Sequence, residues 1–240
     1  MNLLLLSNST SHGRRRFEHV QDELAEFYGQ RDVLFVPYAL ADHDAYTSTV
    51  ASAFARCGVT LRGLHTVPDP LAALTAAEAV FVGGGNTFRL LRALQRRGLL
   101  AALRGAVEHG ARYGGASAGT NLACPTIRTT NDMPIVQPDG FVALGLIDFQ
   151  INPHYLDTPP DSTHMGETRA ERIAEFLEEN DVPVLGLREG AWLRVDGGTT
   201  VLHGRDAVLF ARGIDPVGIG AGMDLAPILG GVSGRFDVPE

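Results

Sequence analysis

The amino-acid sequence predicts an α/β fold: a mostly parallel sheet covered by helices on both faces, a three-layer α/β/α sandwich, with a C-terminal β-hairpin region. Three observations carry this expectation. Short, continuously apolar runs at residues 3–6, 33–36 and 79–82 alternate with amphipathic stretches, the pattern of strands buried on both faces. Gly115-Ala116-Ser117-Ala118-Gly119 joins an apolar run to a helix-compatible one, a strand, tight turn and helix in succession. Asp196-Gly197-Gly198 separates two alternating runs, a hairpin signal.

Taken in order, residues 3–6 form a first strand, and Phe17, Val20, Leu24 and Phe27 have helical spacing over residues 17–28. Residues 33–36 form a strand stopped by Pro37, and residues 46–57 a helix ended by Gly58. A strand at 60–64, a turn at Pro68-Asp69-Pro70, a short helix at 71–78 and a strand at 79–82 lead into Gly83-Gly84-Gly85-Asn86-Thr87-Phe88. A helical stretch over 88–110 is broken at Gly98, and residues 112–116 are the strand that delivers Ser117. Residues 125–140 lack periodicity and read as a loop at the functional edge of the sheet. Strands are expected at 141–144 and 147–151, with Asn152-Pro153-His154-Tyr155 after the second. A polar, proline-containing loop at 157–162 precedes an amphipathic helix at 167–179. Strands at 182–187, 191–195, 199–203 and 207–210 follow, and the Gly- and Pro-containing tail from residue 220 is poorly specified. No long linker, repeat or low-complexity segment divides the chain, so residues 1–240 are expected to form one catalytic domain.

A hydrophobic fraction of 45% is enough for a proper core. The formal net charge of -8 argues against nucleic acid and against an anionic membrane surface as partners. The two cysteines, Cys57 and Cys124, form no disulfide framework, which fits a reducing cytoplasm. The apolar run at residues 3–6 is too short for a signal peptide, and no run approaches the ~20 residues of a membrane span. The histidines lack metal spacing, and no metal site is expected. The run Gly83-Gly84-Gly85 continues neither as G-x-G-x-x-G nor as a Walker loop, so no nucleotide cofactor is expected.

The chemistry-bearing candidates centre on Ser117, which occupies the middle of G-x-S-x-G. A serine hydroxyl needs an adjacent base to become a nucleophile. His154, set beside a proline at a strand end, is the candidate, against the plainer reading of a structural histidine in a turn. The histidine needs an orienting carboxylate. Glu189, between two apolar strands, and Asp132, in the polar loop 125–140, both qualify. The alternatives are an ion pair for Glu189 and a loop-capping Asx turn for Asp132. Backbone N–H donors for an oxyanion would come from Ala118, directly after the serine, and from the glycine run at Gly85, with Asn86 beside it facing substrate.

Taken together, Gly83-Gly84-Gly85-Asn86-Thr87-Phe88, Gly115 to Asn121, Thr129-Thr130-Asn131-Asp132-Met133-Pro134, Asn152-Pro153-His154-Tyr155 and Arg188-Glu189-Gly190-Ala191 resemble peptidase E. That family comprises cytoplasmic aspartyl dipeptidases, serine peptidases whose fold is similar to class I glutamine amidotransferases. The resemblance runs from Leu3 to about Phe210. It implies Ser117 as nucleophile and His154 as base, and both Asp132 and Glu189 match positions proposed for the third triad member. It also implies hydrolysis of Asp-Xaa dipeptides and short peptides with a free N-terminal aspartate. Such a substrate brings an ammonium, which whichever of Asp132 and Glu189 lies outside the triad could hold. It also brings a carboxylate, which suits the planar fork of an arginine. Arg128, Arg169 and Arg172 are the candidates, with Arg169 favoured, although helical arginines are commonly solvated. The sequence leaves a homodimer open.

Three competing readings stand beside this one. A cyanophycinase-like serine hydrolase of the same fold would take another acidic substrate. A non-catalytic small-molecule binding protein on this scaffold would be expected to lack Ser117, His154 or the glycine run. A general esterase of the α/β-hydrolase type is disfavoured, because His154 precedes several further strands.

Overall fold

The computed structural model describes residues 1–158, 165–229 and 234–238; His164 and the end of the loop at 157–162 lie outside them. The first half of the chain builds β1 (Asn2–Leu6), α1 (Gln21–Tyr28), β2 (Val33–Val36), α2 (His43–Ala55), β3 (Leu61–Gly63) and α3 (Pro70–Thr75). It continues through β4 (Ala79–Val82), α4 (Thr87–Arg96), α5 (Leu100–Glu108), β5 (Arg112–Ala116) and α6 (Ala118–Ala123). The second half adds β6 (Gln150–Tyr155), α7 (Arg169–Glu179), β7 (Val184–Arg188), β8 (Trp192–Asp196), β9 (Thr199–His203), β10 (Ala207–Ala211), β11 (Ile214–Ile219) and α8 (Ala226–Leu229).

A seven-stranded sheet has the order β3-β2-β4-β5-β1-β8-β9. Strands β3, β2, β4, β5 and β1 are mutually parallel, and the β8–β9 hairpin adds to β1 antiparallel. The apolar runs are continuous because both faces are covered. Leu3, Leu5, Leu34, Val36, Val80 and Val82 pack with Leu90, Leu91 and Leu94 of α4 and Leu103 and Val107 of α5. Leu4, Leu6, Val33, Phe35 and Phe81 point the other way, onto Leu24 and Phe27 of α1 and Val50 and Phe54 of α2. Leu3 to Leu6 have no exposed surface, and truncating any of them to alanine costs about 2–5 kcal/mol. Side-chain caps set the helix starts: Asp42 for α2, Asp69 with Pro70 for α3, Asn86 for α4 and a capping box of Thr168 and Glu171 for α7.

A second, four-stranded sheet, order β11-β10-β7-β6, stands beside the mostly parallel one expected from sequence. Only β6 and β7 are parallel in it. Ile151, Leu185 and Leu187 join the core cluster of the first sheet, while Tyr155, Val184 and Phe210 pack with Ile173 and Leu177 of α7. The strand expected at 141–144 does not form. Instead, the N–H groups of Leu144, Gly145 and Leu146 donate to the carbonyls of Leu122, Cys124 and Ala123 at the end of α6. The segment serves orphan carbonyls of a helix terminus and retains one bridge, Thr126 with Val142. The strand expected at 147–151 begins at Gln150 and runs through His154, which therefore lies within it.

Three smaller departures have local causes. Phe17, expected in the first helix, precedes it with φ 61° and follows no helical path. Strand β11 was hidden by Pro216 and Gly218, residues that suit an edge strand and disguise it. Residues 222–225 of the tail pack on β9, with the Leu225 N–H donating to the Thr200 carbonyl and Leu225 fully buried. The carboxyl ends of β1, β4 and β5 in one sheet, and of β6 and β7 in the other, converge where α/β folds place their sites.

Candidate active site

Ser117 stands between β5 and α6 with φ 54° and ψ -107°, a conformation that L residues adopt only when their surroundings enforce it. Those surroundings are tight. A Cβ on Gly115 would lie 2.5 Å from the Gly119 carbonyl oxygen, and one on Gly119 would collide with the Val82 carbonyl. The Tyr113 hydroxyl donates to the Gly119 carbonyl at 2.6 Å, and the Ser117 N–H donates to Leu6 at 3.1 Å. Both glycines are thus needed for β5, α6 and β4 to approach one another.

His154 is also held at positive φ, 54°. In the parallel ladder Pro153 pairs with Leu187 and Tyr155 with Arg188, so His154 is an extra residue without a partner. A bulge of this kind re-aims a side chain. Here it brings Nε2 to 3.0 Å from Ser117 Oγ and Nδ1 to 2.7 Å from Glu189 Oε1. An ionised carboxylate only accepts hydrogen bonds, so Nδ1 donates to Glu189 and Nε2 is left to accept from the serine hydroxyl. Hydroxyl, imidazole and carboxylate in line can move a proton off the hydroxyl and later return it to a leaving group. Glu189 lies on the link between β7 and β8 with 44% of its side chain exposed. Its position comes from that turn and not from the burial that the flanking apolar strands suggested.

Asp132 is placed elsewhere. Its Oδ2 accepts from the Thr87 N–H at 2.7 Å, the Thr87 hydroxyl at 2.6 Å and the Thr130 hydroxyl at 3.2 Å. It caps the start of α4, so the alternative in which Asp132 orients His154 is not what the structure builds. Thr87 and Thr130, which fix it, stand within the quoted motifs, but the sequence assigns them no role of their own. Asn86, expected to face substrate, uses its amide locally: Oδ1 accepts from the Arg89 N–H and Nδ2 donates to the Met133 carbonyl at 2.8 Å.

Gly84 lies against Ser117: a Cβ there would be 3.2 Å from the serine Cβ. Gly85 has φ +131° and a Cβ position only 2.8 Å from the Ala39 carbonyl, so only glycine fits. Among the described residues, the N–H groups of Gly85 and Ala118 donate to no backbone carbonyl outside regular structure. Tyr46 backs this run, its phenol pushed up to about 12 by burial, so it is a neutral packing surface there.

Of the arginines, Arg128 is committed to Asp237 at 2.7 Å and Asn180 at 3.1 Å, and Arg172 bonds Glu167 at 3.3 Å. Arg169 opens α7 and has no carboxylate within salt-bridge distance among the described residues. Burial, then the charge of Arg172, lowers its pKa, and the charge of Asp132 acts against them. Arg169 therefore lies within electrostatic reach of the Asp132 carboxylate. Among the described residues no group of three or more His, Cys, Asp or Glu is placed to hold a metal ion.

Two more residues went unmarked. Ser7 and Asn8, at the end of β1, bond to the backbone of His154 and Gly190. A polar pair closing an apolar strand was the only signal available for them.

An elbow serine, an in-line histidine and glutamate, and a glycine turn at the carboxyl edge of a parallel sheet define a serine hydrolase. The sequence matches peptidase family S51 over residues 3–203, and the chain belongs to that family of peptidases. It is 62% identical over 240 residues to "Peptidase E" of Streptomyces coelicolor, covering 99% of this chain and 98% of that one. It is 52% identical over 214 residues to the "Probable alpha-aspartyl dipeptidase" of Drosophila melanogaster, covering 87% and 89%. The crystal structure of a peptidase from an acI-B1 Actinobacterium has the same fold, with a TM-score of 0.65 at 15% identity, covering 93% of this chain and 95% of that one.

Proposed function

We propose that this peptidase hydrolyses dipeptides and short peptides with a free N-terminal aspartate, through an acyl-enzyme on Ser117. The observation that carries the mechanism is the line from Ser117 Oγ through His154 to Glu189, at 3.0 and 2.7 Å. The substrate class is supported by the "Probable alpha-aspartyl dipeptidase" relative.

In this reading His154 Nε2 takes the proton from Ser117 Oγ as the oxygen attacks the aspartyl carbonyl carbon. The oxyanion is met by the N–H groups of Gly85 and Ala118. The C–N bond breaks, and His154 returns the proton to the departing amine. A water then attacks the ester carbonyl, giving up its proton to His154, which passes it to Ser117 Oγ as the ester C–O bond breaks and aspartate leaves. Glu189 holds the imidazole in the tautomer these steps need and stabilises its charged form.

Asp132 Oδ1, the oxygen not engaged by Thr87 and Thr130, holds the α-ammonium, and Arg169 holds the side-chain carboxylate as a fork. Asn86 acts by tying the glycine turn to Met133 at the rim. The whole chain works as one catalytic unit. The free thiols of Cys57 and Cys124 support a reducing, cytoplasmic setting.

A dipeptide panel tests the reading: Asp-Leu, Glu-Leu, Asn-Leu and N-acetyl-Asp-Leu, with Ser117→Ala as control. Fast cleavage of Asp-Leu alone is the expected result. Cleavage of N-acetyl-Asp-Leu at the same rate would remove the ammonium site from the account.

A further inference from the structure

We infer that Leu6-Ser7-Asn8, the carboxyl end of β1, is the strut that holds Ser117, His154 and Glu189 in one line, and that Ser7 is a positioning residue for His154. The inference rests on the serine-peptidase reading above. Ser117 directly follows β5 of the seven-stranded sheet, His154 lies in β6 of the four-stranded one, and Glu189 lies in the turn between β7 and β8 that links them. Backbone ladders within either sheet do not set the 3.0 Å between Ser117 and His154. Something that bonds to both sheets must do so.

The three residues each take one member. The Leu6 carbonyl accepts from the Ser117 N–H at 3.1 Å and from the Thr120 hydroxyl at 2.6 Å. Ser7 Oγ accepts from the His154 N–H at 2.9 Å and donates to the Leu187 carbonyl at 2.8 Å. The Ser7 N–H donates to the Ala191 carbonyl at 3.1 Å. Asn8 Oδ1 accepts from the Gly190 N–H at 2.8 Å, next to Glu189, and Asn8 Nδ2 donates to the Thr10 carbonyl at 3.0 Å. Ser7 and Asn8 are 0% and 1% exposed, so water cannot take over these bonds.

Ser7 matters most because His154 is the bulged residue. Insertion into the ladder leaves its N–H without a strand acceptor, and the hydroxyl of Ser7 supplies one. A hydroxyl both donates and accepts, which lets one atom bridge the bulge to Leu187. With alanine at this position the bulge loses its reason to keep φ at 54°, and relaxation toward a regular ladder turns the imidazole away from Ser117.

The test compares Ser7→Ala and Ser7→Cys with the wild-type protein in four readouts: Asp-Leu kinetics, the pH profile of kcat/KM, phosphonylation of Ser117 by a fluorophosphonate, and the imidazole proton resonances of His154. Ser7→Ala is expected to fold, to lose about 10- to 100-fold in kcat, and to keep KM within about twofold. Its pH profile shifts, Ser117 phosphonylates more slowly, and the low-field proton shared by His154 and Glu189 broadens or disappears. Ser7→Cys, whose thiol bonds weakly, falls between. Should Ser7→Ala not fold, Ser7→Cys and Asn8→Ala carry the same readouts.

A folded Ser7→Ala with wild-type kcat, phosphonylation rate and His154 resonances overturns the inference. Phosphonylation and the His154 resonances need no peptide. A wild-type protein that phosphonylates at Ser117, loses that reactivity in Ser7→Ala and ignores Asp-Leu refutes the aspartyl substrate and upholds the strut.

Discussion

His154 Nδ1 sits 2.7 Å from Glu189 Oε1, with 37% of the histidine side chain and 44% of the glutamate side chain open to solvent. A buried orienting carboxylate is worth up to about four decades in kcat in the serine-protease case. Solvent screens a pair as open as this one. Glu189→Gln, which keeps the shape and offers an amide that can favour the wrong tautomer, is therefore expected to lower kcat by about 10²–10³-fold with little change in KM. Steady-state kinetics on Asp-Leu checks this, and a fall in KM alone would contradict it.

Asp132→Asn is expected to act differently. The amide oxygen can still accept from Thr87, so α4 keeps its cap, while the negative charge proposed to hold the ammonium is lost. KM for Asp-Leu should rise about tenfold or more, with a smaller drop in kcat. A collapse of kcat at constant KM would move the orienting role to Asp132.

Arg169→Met should erase selectivity. A charge-assisted bond to the aspartate side chain is worth roughly 1.5–3 kcal/mol, or one to two decades in rate. The kcat/KM for Asp-Leu falls by that amount, and the value for Asn-Leu hardly moves. Equal losses on both substrates would show that Arg169 does not read the carboxylate.

Gly119→Ala tests the elbow. The added methyl meets the Val82 carbonyl, which belongs to the backbone of a central strand and cannot swing aside. A destabilisation of about 3 kcal/mol or more is expected, visible as a large drop in Tm. A near-wild-type Tm with full activity would contradict the packing argument.

Stability should also fall on mild acidification. Burial, then the charge of Arg14, lowers the pKa of His19 below the ordinary histidine value, with the charge of Glu189 acting the other way. A base with a depressed folded pKa binds protons first in the unfolded chain. Its stabilising contribution is complete above the unfolded value of about 6.5 and is lost as pH falls toward the folded one. The drop in Tm between pH 7 and pH 5 should therefore shrink in His19→Gln; an unchanged drop would assign it to other groups.

Much of this was legible in the sequence because it is written locally. The elbow is spelled by Gly115 and Gly119, the parallel strands by their continuous apolar runs, and the hairpin by Asp196-Gly197-Gly198. What the sequence hid depends on partners far along the chain. The choice between Asp132 and Glu189 turned on a turn between two sheets that strand patterns do not describe. The histidine bulge in β6 read as a loop after a strand, because Pro153 and positive φ break the pattern. Ser7 gave no motif at all, since its bond to His154 spans |i−j| = 147.

The proposed hydrolysis requires an aspartyl ester on Ser117. Rapid-quench mass spectrometry of the enzyme mixed with an aspartyl substrate carrying a fast leaving group tests it directly. A mass increase of one aspartyl residue, mapped to the peptide containing Ser117 and absent from Ser117→Ala, is the predicted result. Turnover of that substrate with no adduct in the wild-type enzyme, or undiminished turnover by purified Ser117→Ala, would contradict the account.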